Sequence, residues 1–394
     1  MVLSACAPQP TPGQEPAVET GAQVLLNEYL HELQDKRIGL VMNPTARIGA
    51  VHMLDTLLAL DVDVQALFAP EHGFRGEAGA GERIEDGVDL GTGLPVFSLY
   101  GATRKPTPDM MHDIDLLLFD MQDVGARFYT YHATLGLVLE AAADAEVPVW
   151  LLDRPNPAGG EYVSGWMMED DFRSFVGPYP IPAVHGMTLG ELGRMMIGEQ
   201  WLQTDGVPDF RVIPMRGWNR SMIWPETGLP WVPPSPNLPS FEHAYVYLGT
   251  CFVEGTTLSE GRGTSDPFLT LGAPTTDLSD HTLEQLSRQI AGANLERVTF
   301  TPVAIPGVAV QPKHEGQESR GIRITITDVE EYQPLESGLL ILRELMDATP
   351  EAETNRFLYN LTGSREIDEV LQGAEPHFEL DDFITRRRAY LLYE

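Results

Sequence analysis

Pro70-Glu71-His72-Gly73-Phe74-Arg75-Gly76 puts a carboxylic acid, an imidazole and a guanidinium into one short loop, with glycines that let backbone approach a ligand closely. Such a set can give a proton, take one and grip an anion. Residues 62–69, just before it, are largely apolar and read as a buried strand. The loop therefore stands at the carboxyl end of a strand, where open α/β sheets bind their ligands. Three more apolar segments run into polar loops of the same kind: residues 100–108 with Arg104, residues 120–131 with Asp123, Arg127, Tyr129 and Tyr131, and residues 153–157 with Asn156.

The elements that must position these loops follow from the alternation of the chain. Strands are predicted at residues 37–42, 62–69, 94–100, 115–120 and 148–152, with helices over residues 51–60 and 131–145. The second helix carries Leu135, Val138, Leu139 and Ala142 in one apolar stripe. Apolar strands separated by helices imply a parallel sheet covered on both faces, a Rossmann-like α/β domain. Its first strand leads into Asn43-Pro44-Thr45-Ala46-Arg47 rather than a glycine-rich dinucleotide turn, and no phosphate-binding P-loop motif occurs. Dehydrogenase and NTPase readings lose their main support, and no cofactor is expected.

The second half has a proline-rich stretch over residues 225–239, a glycine-rich one over 249–263, and helical patterns at 283–291 and 335–347. It reads as a smaller α+β domain. The expected division is a flexible N-terminal segment over residues 1–21, a Rossmann-like catalytic domain over 22–220 and an auxiliary domain over 221–394, with the active site in the cleft between the two domains.

Composition narrows the partners. The chain has 394 residues, 43% of them apolar, and a formal charge of −32, which argues against nucleic acid. Its lysines are Lys36, Lys105 and Lys313, so arginine carries most of the positive charge in the loops. The acidity itself reads as a solvated surface. No apolar run approaches the roughly 20 residues of a membrane-spanning helix. With Cys6 and Cys251 as the sole cysteines, no disulfide framework is available. Leu3-Ser4-Ala5-Cys6 matches a bacterial lipidation box, and the Pro-, Gln- and Glu-rich residues behind it form a tether. The expectation is an exported protein held to the membrane through lipid on Cys6, which palmitate labelling would check.

Aromatic faces, amides, carboxylates and arginines in neighbouring loops suit a sugar with an acidic substituent. Taken singly, Tyr129 and Tyr131 read as packing residues, and Asp153-Arg154-Pro155-Asn156-Pro157 reads equally as a rigid turn.

Residues 70–76, 100–108, 120–131 and 153–157 occur together with His185-Gly186-Met187-Thr188, Ser235-Pro236-Asn237 and the segment from Glu254 through Glu260 and Arg262 to Gly263. As a set they resemble the NamZ/YbbC-like exo-β-N-acetylmuramidase family, from about Gln23 to the C-terminus. Ala46-Arg47 and Ser240 depart from the usual pattern and touch none of the proposed chemistry. The resemblance implies release of N-acetylmuramic acid from the non-reducing ends of peptidoglycan fragments, a muropeptide or disaccharide being the substrate.

Hydrolysis of such a glycoside makes Glu71 the expected general acid, with His72 beside it; the second carboxylate stays open among Glu254, Glu260, Asp120 and Asp123, with Glu260 the named candidate to orient the 2-acetamido group. Arg75, Arg104, Asp123, Arg127, Tyr129, Tyr131, Asn156, His185, Asn237, Glu254 and Arg262 are the candidate substrate-binding residues. Two other classes compete. His72, His132, His185 and His243 would have to assemble a metal site for a metal-dependent amidase or deacetylase, yet no close ligand pair is present. A non-catalytic, sugar-binding lipoprotein would share the cleft. Oligomeric state is not readable.

Overall fold

A computed structural model describes residues 18–75, 82 and 85–394 of the protein. The lipidation box and most of the tether lie outside these residues. Six parallel strands, β1 (Ile38–Met42), β2 (Val64–Ala69), β4 (Pro95–Ser98), β5 (Leu116–Asp120), β6 (Val149–Leu152) and β9 (Phe210–Ile213), make a twisted sheet. The short β3 (Gly87–Val88) pairs antiparallel with β4 and completes the order β9-β6-β5-β1-β2-β4-β3.

Every residue of β1, β5 and β6 is buried. That explains their unbroken apolar runs: both faces of a parallel sheet are covered by crossover helices. Alternate residues separate accordingly. Leu117 and Phe119 join the core under α2 (Tyr131–Asp144) and α3 (Leu189–Gly198), while Leu116 and Leu118 join the core under α1 (Met53–Ala59). Helix starts are fixed locally: Thr188 and Glu191 close a capping box on α3. The chain leaves β1 toward β2 and leaves β5 toward β6 on the other side. The crevice between the carboxyl ends of β1 and β5 is therefore the topological switch point of the sheet.

A hairpin, β7 (Ser164–Met167) with β8 (Pro182–Val184), leads toward the second half. There α4 (Phe241–Thr250) precedes an antiparallel sheet of β10 (Thr270–Ala273), β11 (Ala293–Phe300) and β12 (Ser319–Ile326), with β12 central. Helix α5 (Asp280–Gln289) lies between β10 and β11, and α6 (Pro334–Asp347) crosses α4. At that crossing Gly249 and Gly338 meet backbone to backbone, with no room for a Cβ on either. Short helices α7 (Arg356–Thr362), α8 (Ile367–Leu371) and α9 (Asp381–Arg387) end the chain.

The two halves share one core. Phe119 and Leu135 from the first half and Phe252, Leu271 and Leu342 from the second belong to the same buried apolar cluster. The C-terminal residues fold back on the first half, where Tyr393 donates to Asp153 Oδ2 at 2.7 Å and Arg220 N donates to the Glu394 carbonyl at 3.0 Å. Among the described residues no helix is long and apolar enough to cross a membrane.

Candidate active site

Glu71 sits on the turn after β2, where Gly73 N donates to the Pro70 carbonyl at 3.1 Å. The turn needs left-handed backbone at His72 (φ 74°) as well as at Gly73. A buried non-glycine residue in that region is a local strain that the surrounding structure must hold. The carboxylate itself is held: Thr130, the residue before α2, donates its hydroxyl to Glu71 Oε2 at 2.8 Å. From the turn after β4, Tyr100 is near enough for the Glu71 charge to act on its phenol, and both line the same cleft. Burial and then the Glu71 charge push the Tyr100 phenol well above its ordinary range, so it stays a donor.

These groups form one wall of a cleft of about 490 Å³, large enough for a sugar ring. Phe128 and Tyr129 floor it. Tyr247 and Cys251 at the end of α4, Glu254, Arg262, Phe268 and residues 308–312 form the facing wall. The cleft thus opens between the carboxyl edge of the parallel sheet and the second half of the chain.

Arg262 organises the facing wall. It donates to Glu254 Oε1 from Nη2 at 2.6 Å and from Nε at 3.2 Å, and lies 3.6 Å from Glu260. Burial works to lower its pKa, but the two glutamates outweigh it and hold the guanidinium charged. Glu260 is behind this layer, nearly fully buried, with Lys313 Nζ at 3.0 Å. Lys313 in turn donates to the carbonyls of Val253 and Leu258 at 3.0 and 2.9 Å. Two buried polar atoms of cleft-lining residues, Tyr129 Oη and Arg262 Nη1, have no hydrogen-bond partner. Buried donors are normally satisfied, so these are the groups a bound ligand would take up.

Glu71, His72, Tyr129, Glu254 and Arg262 therefore line one cleft. Arg104 is exposed and is not itself a lining residue; its guanidinium is 5.6 Å from the ring of Tyr100, which lines the cleft, and 4.2 Å from the ring of Phe175, next to the lining residue Val176. The structure does not bring the other candidates onto the cleft. Arg75 is tied to Asp89 at 2.6 Å and Asp55 at 3.2 Å. Arg127 is spent on backbone carbonyls, and Tyr131 donates to the Pro234 carbonyl at 2.8 Å.

Asn156 braces Met187 and Ala158, and His185 Nδ1 accepts from Met187 N at 3.2 Å. Asn237 donates to the Val308 carbonyl at 2.7 Å and so supports the segment that lines the cleft. Glu260 supports Arg262 in the same indirect way. Thr130, Tyr247 and Lys313 were missed as single residues: Thr130 is the last residue of the 120–131 loop before α2, Tyr247 lies inside the apolar helix α4, and Lys313 acts from behind the wall. Among the described residues no group of three or more His, Cys, Asp and Glu is placed to hold a metal ion.

Asp123 is buried behind the site. Its Oδ1 accepts from Gly125 N at 2.7 Å, its Oδ2 has no partner, and burial pushes the carboxyl up to about 7. Folding thus raises its pKa above the ordinary value of 3.8. Its contribution favours the folded state at low pH and turns unfavourable as pH climbs from about 4 to 7. Asp123→Asn removes the titration. Relative to the parent, the variant should gain about 1–3 kcal/mol between pH 4 and pH 8 in urea unfolding. A difference between the two proteins that is flat with pH would refute the buried-carboxyl assignment.

A doubly wound sheet with a carboxylate at the carboxyl end of β2 and a sugar-sized cleft against the second half of the chain is the arrangement of an α/β enzyme. Family models carry this further: residues 38–242 match the N-terminal and residues 245–393 the C-terminal model of the exo-β-N-acetylmuramidase NamZ. The chain belongs to the NamZ family. It is 37% identical to the peptidoglycan β-N-acetylmuramidase NamZ of Bacillus subtilis (strain 168), over 96% of this chain and 92% of that protein. Crystal structures of two DUF1343 family proteins from Bacteroides fragilis NCTC 9343 share the fold at 32% identity. One superposes with a TM-score of 0.84 over 97% of this chain and 100% of its own, the other with 0.79 over 96% and 99%.

Proposed function

We propose that this protein is an exo-β-N-acetylmuramidase, a glycoside hydrolase that releases N-acetylmuramic acid from the non-reducing ends of peptidoglycan fragments. The observation that carries the reading is Glu71. It is a carboxyl group held by Thr130 at the carboxyl edge of the sheet, on a sugar-sized cleft lined also by Tyr100, Phe128, Tyr129 and Tyr247. Family membership and the Bacillus subtilis relative support it.

Glycoside hydrolysis needs a proton for the leaving oxygen and a second group at the anomeric carbon. Glu71 supplies the proton. Of the two other glutamates considered, Glu254 lines the cleft and Glu260 does not. Glu254 is thus a carboxylate placed to orient the substrate's own acetamido group or a water, with Arg262 fixing its position at 2.6 Å; Glu82 also lines the cleft. Arg262 Nη1 and Tyr129 Oη remain to bind ring hydroxyls. Export and lipid anchoring at Cys6 belong to the same reading, because the polymer is met outside the cytoplasm.

Incubation with a β-linked disaccharide bearing N-acetylmuramic acid at its non-reducing end should give equal amounts of the two free sugars. On longer glycans only monosaccharide should appear at early times. Internal fragments would exclude exo action, and an unchanged substrate would leave a binding protein.

A further inference from the structure

We propose that Arg104 is the residue that reads the 3-O-lactyl carboxylate, the one charge that separates N-acetylmuramic acid from N-acetylglucosamine. The inference rests on the proposed substrate and assigns a specificity-determining residue within it. Of the four candidate arginines Arg75, Arg104, Arg127 and Arg262, the structure spends three. Arg75 faces two aspartates, Arg262 faces two glutamates, and the buried Arg127 donates to three carbonyl oxygens. An arginine already neutralised by carboxylates gains little from another one. It can hydrogen-bond a hydroxyl or an amide oxygen, but it cannot discriminate by charge.

Arg104 differs. It makes no ion pair with any described residue and packs on aromatic rings: the guanidinium carbon lies 4.2 Å from the centre of the Phe175 ring and 5.6 Å from that of Tyr100. A cation packed on aromatic rings loses side-chain freedom without losing charge, and a guanidinium can meet a carboxylate with two parallel bonds. Its place is also right. Tyr100 and Glu71 line the same cleft, and so does Val176, next to Phe175. The cation is therefore one aromatic ring away from the acid that meets the anomeric oxygen. The lactyl ether leaves the same sugar ring at C3, two carbons from the anomeric centre. In a chain of charge −32, an anionic sugar needs a local unpaired cation at the mouth of the site.

The test compares Arg104→Met and Arg104→Lys with the parent on a nitrophenyl β-N-acetylmuraminide and on its lactyl methyl ester. Arg104→Met should raise KM for the acid about tenfold with kcat little changed, and should show a much smaller effect on the ester. Arg104→Lys should recover part of the loss, and added salt should shrink it, because Arg104 is exposed. Equal loss on acid and ester overturns the assignment, as does Arg262→Met alone abolishing the preference for acid over ester. Calorimetric binding of free N-acetylmuramic acid separates this inference from the proposed reaction. Selective binding that weakens in Arg104→Met supports the residue even in a protein without turnover, and binding unaffected by the substitution refutes it.

Discussion

Glu71→Gln is expected to lower kcat on a natural muramic disaccharide by about a hundredfold or more while leaving the fold intact. The amide keeps a carbonyl oxygen able to accept the Thr130 hydroxyl, which the carboxylate receives at 2.8 Å. What it loses is the transferable proton. A sugar leaving group is a poor one and depends on that proton, whereas a nitrophenolate does not. The same variant should therefore lose much less on a nitrophenyl glycoside. Tyr100 does not substitute for the acid: burial and the Glu71 charge place its phenol far above neutrality. Thr130→Val is the companion change. Removing the hydroxyl should cost a fraction of the Glu71→Gln effect, because it loosens the carboxylate without removing it. Equal loss of both glycosides in Glu71→Gln would point to a nucleophile or a structural role and sink the general-acid assignment.

The parallel sheet was legible because its strands are buried on both faces, and a run such as Leu116-Leu117-Leu118-Phe119 has no other use. Its sixth parallel strand, Phe210–Ile213, escaped. It is at the sheet edge, only Ile213 is fully buried, and Arg211 within it stacks on Tyr29 and Trp150 instead of interrupting the strand. The second half was less readable for a related reason. In β11 buried Ala293 and Leu295 alternate with exposed Asn294 and Glu296, and Arg297 follows, a pattern short of apolar signal. Gly272 and Gly321, which bring β10 and β12 into close contact, further thin it.

For the site, the loops were legible and the partners were not. That a polar loop follows β2, β4 or β5 is a local fact of the chain. That Arg75 is consumed by Asp55 and Asp89 depends on residues 20 and 14 positions away. Arg127 looks like an anion-binding group in its own loop, yet its acceptors are 39, 54 and 234 residues distant. Long-range pairing decides which arginines remain for a ligand, and only the folded chain shows it.

Arg127 gives the largest expected effect on stability. Its Nη1 donates to the carbonyls of Trp166 and Ile181 at 2.7 and 2.8 Å, and its Nη2 to that of Leu361 at 2.9 Å. The first two oxygens belong to the β7–β8 hairpin and the third to α7, so one side chain ties the two halves of the protein. It is fully buried with no carboxylate beside it, and burial pushes it down to about 9. It stays charged at neutral pH, with carbonyl dipoles in place of a counter-ion. Arg127→Met keeps much of the volume but takes the guanidinium donors from the Trp166 and Leu361 carbonyls and one of two donors from Ile181, which also accepts from Met168 N at 3.2 Å. Losses of this kind run to about 3–5 kcal/mol, a fall in Tm on the order of 10 °C for a chain of this size. Arg127→Lys should do little better, since an ammonium cannot span three acceptors arranged for a planar fork. Below its melting temperature the folded fraction of Arg127→Met should keep a near-normal preference for the muramic acid over its lactyl ester, because the residue lies outside the cleft. A variant that melts within about 2 °C of the parent would show that the bridge between the halves is carried elsewhere.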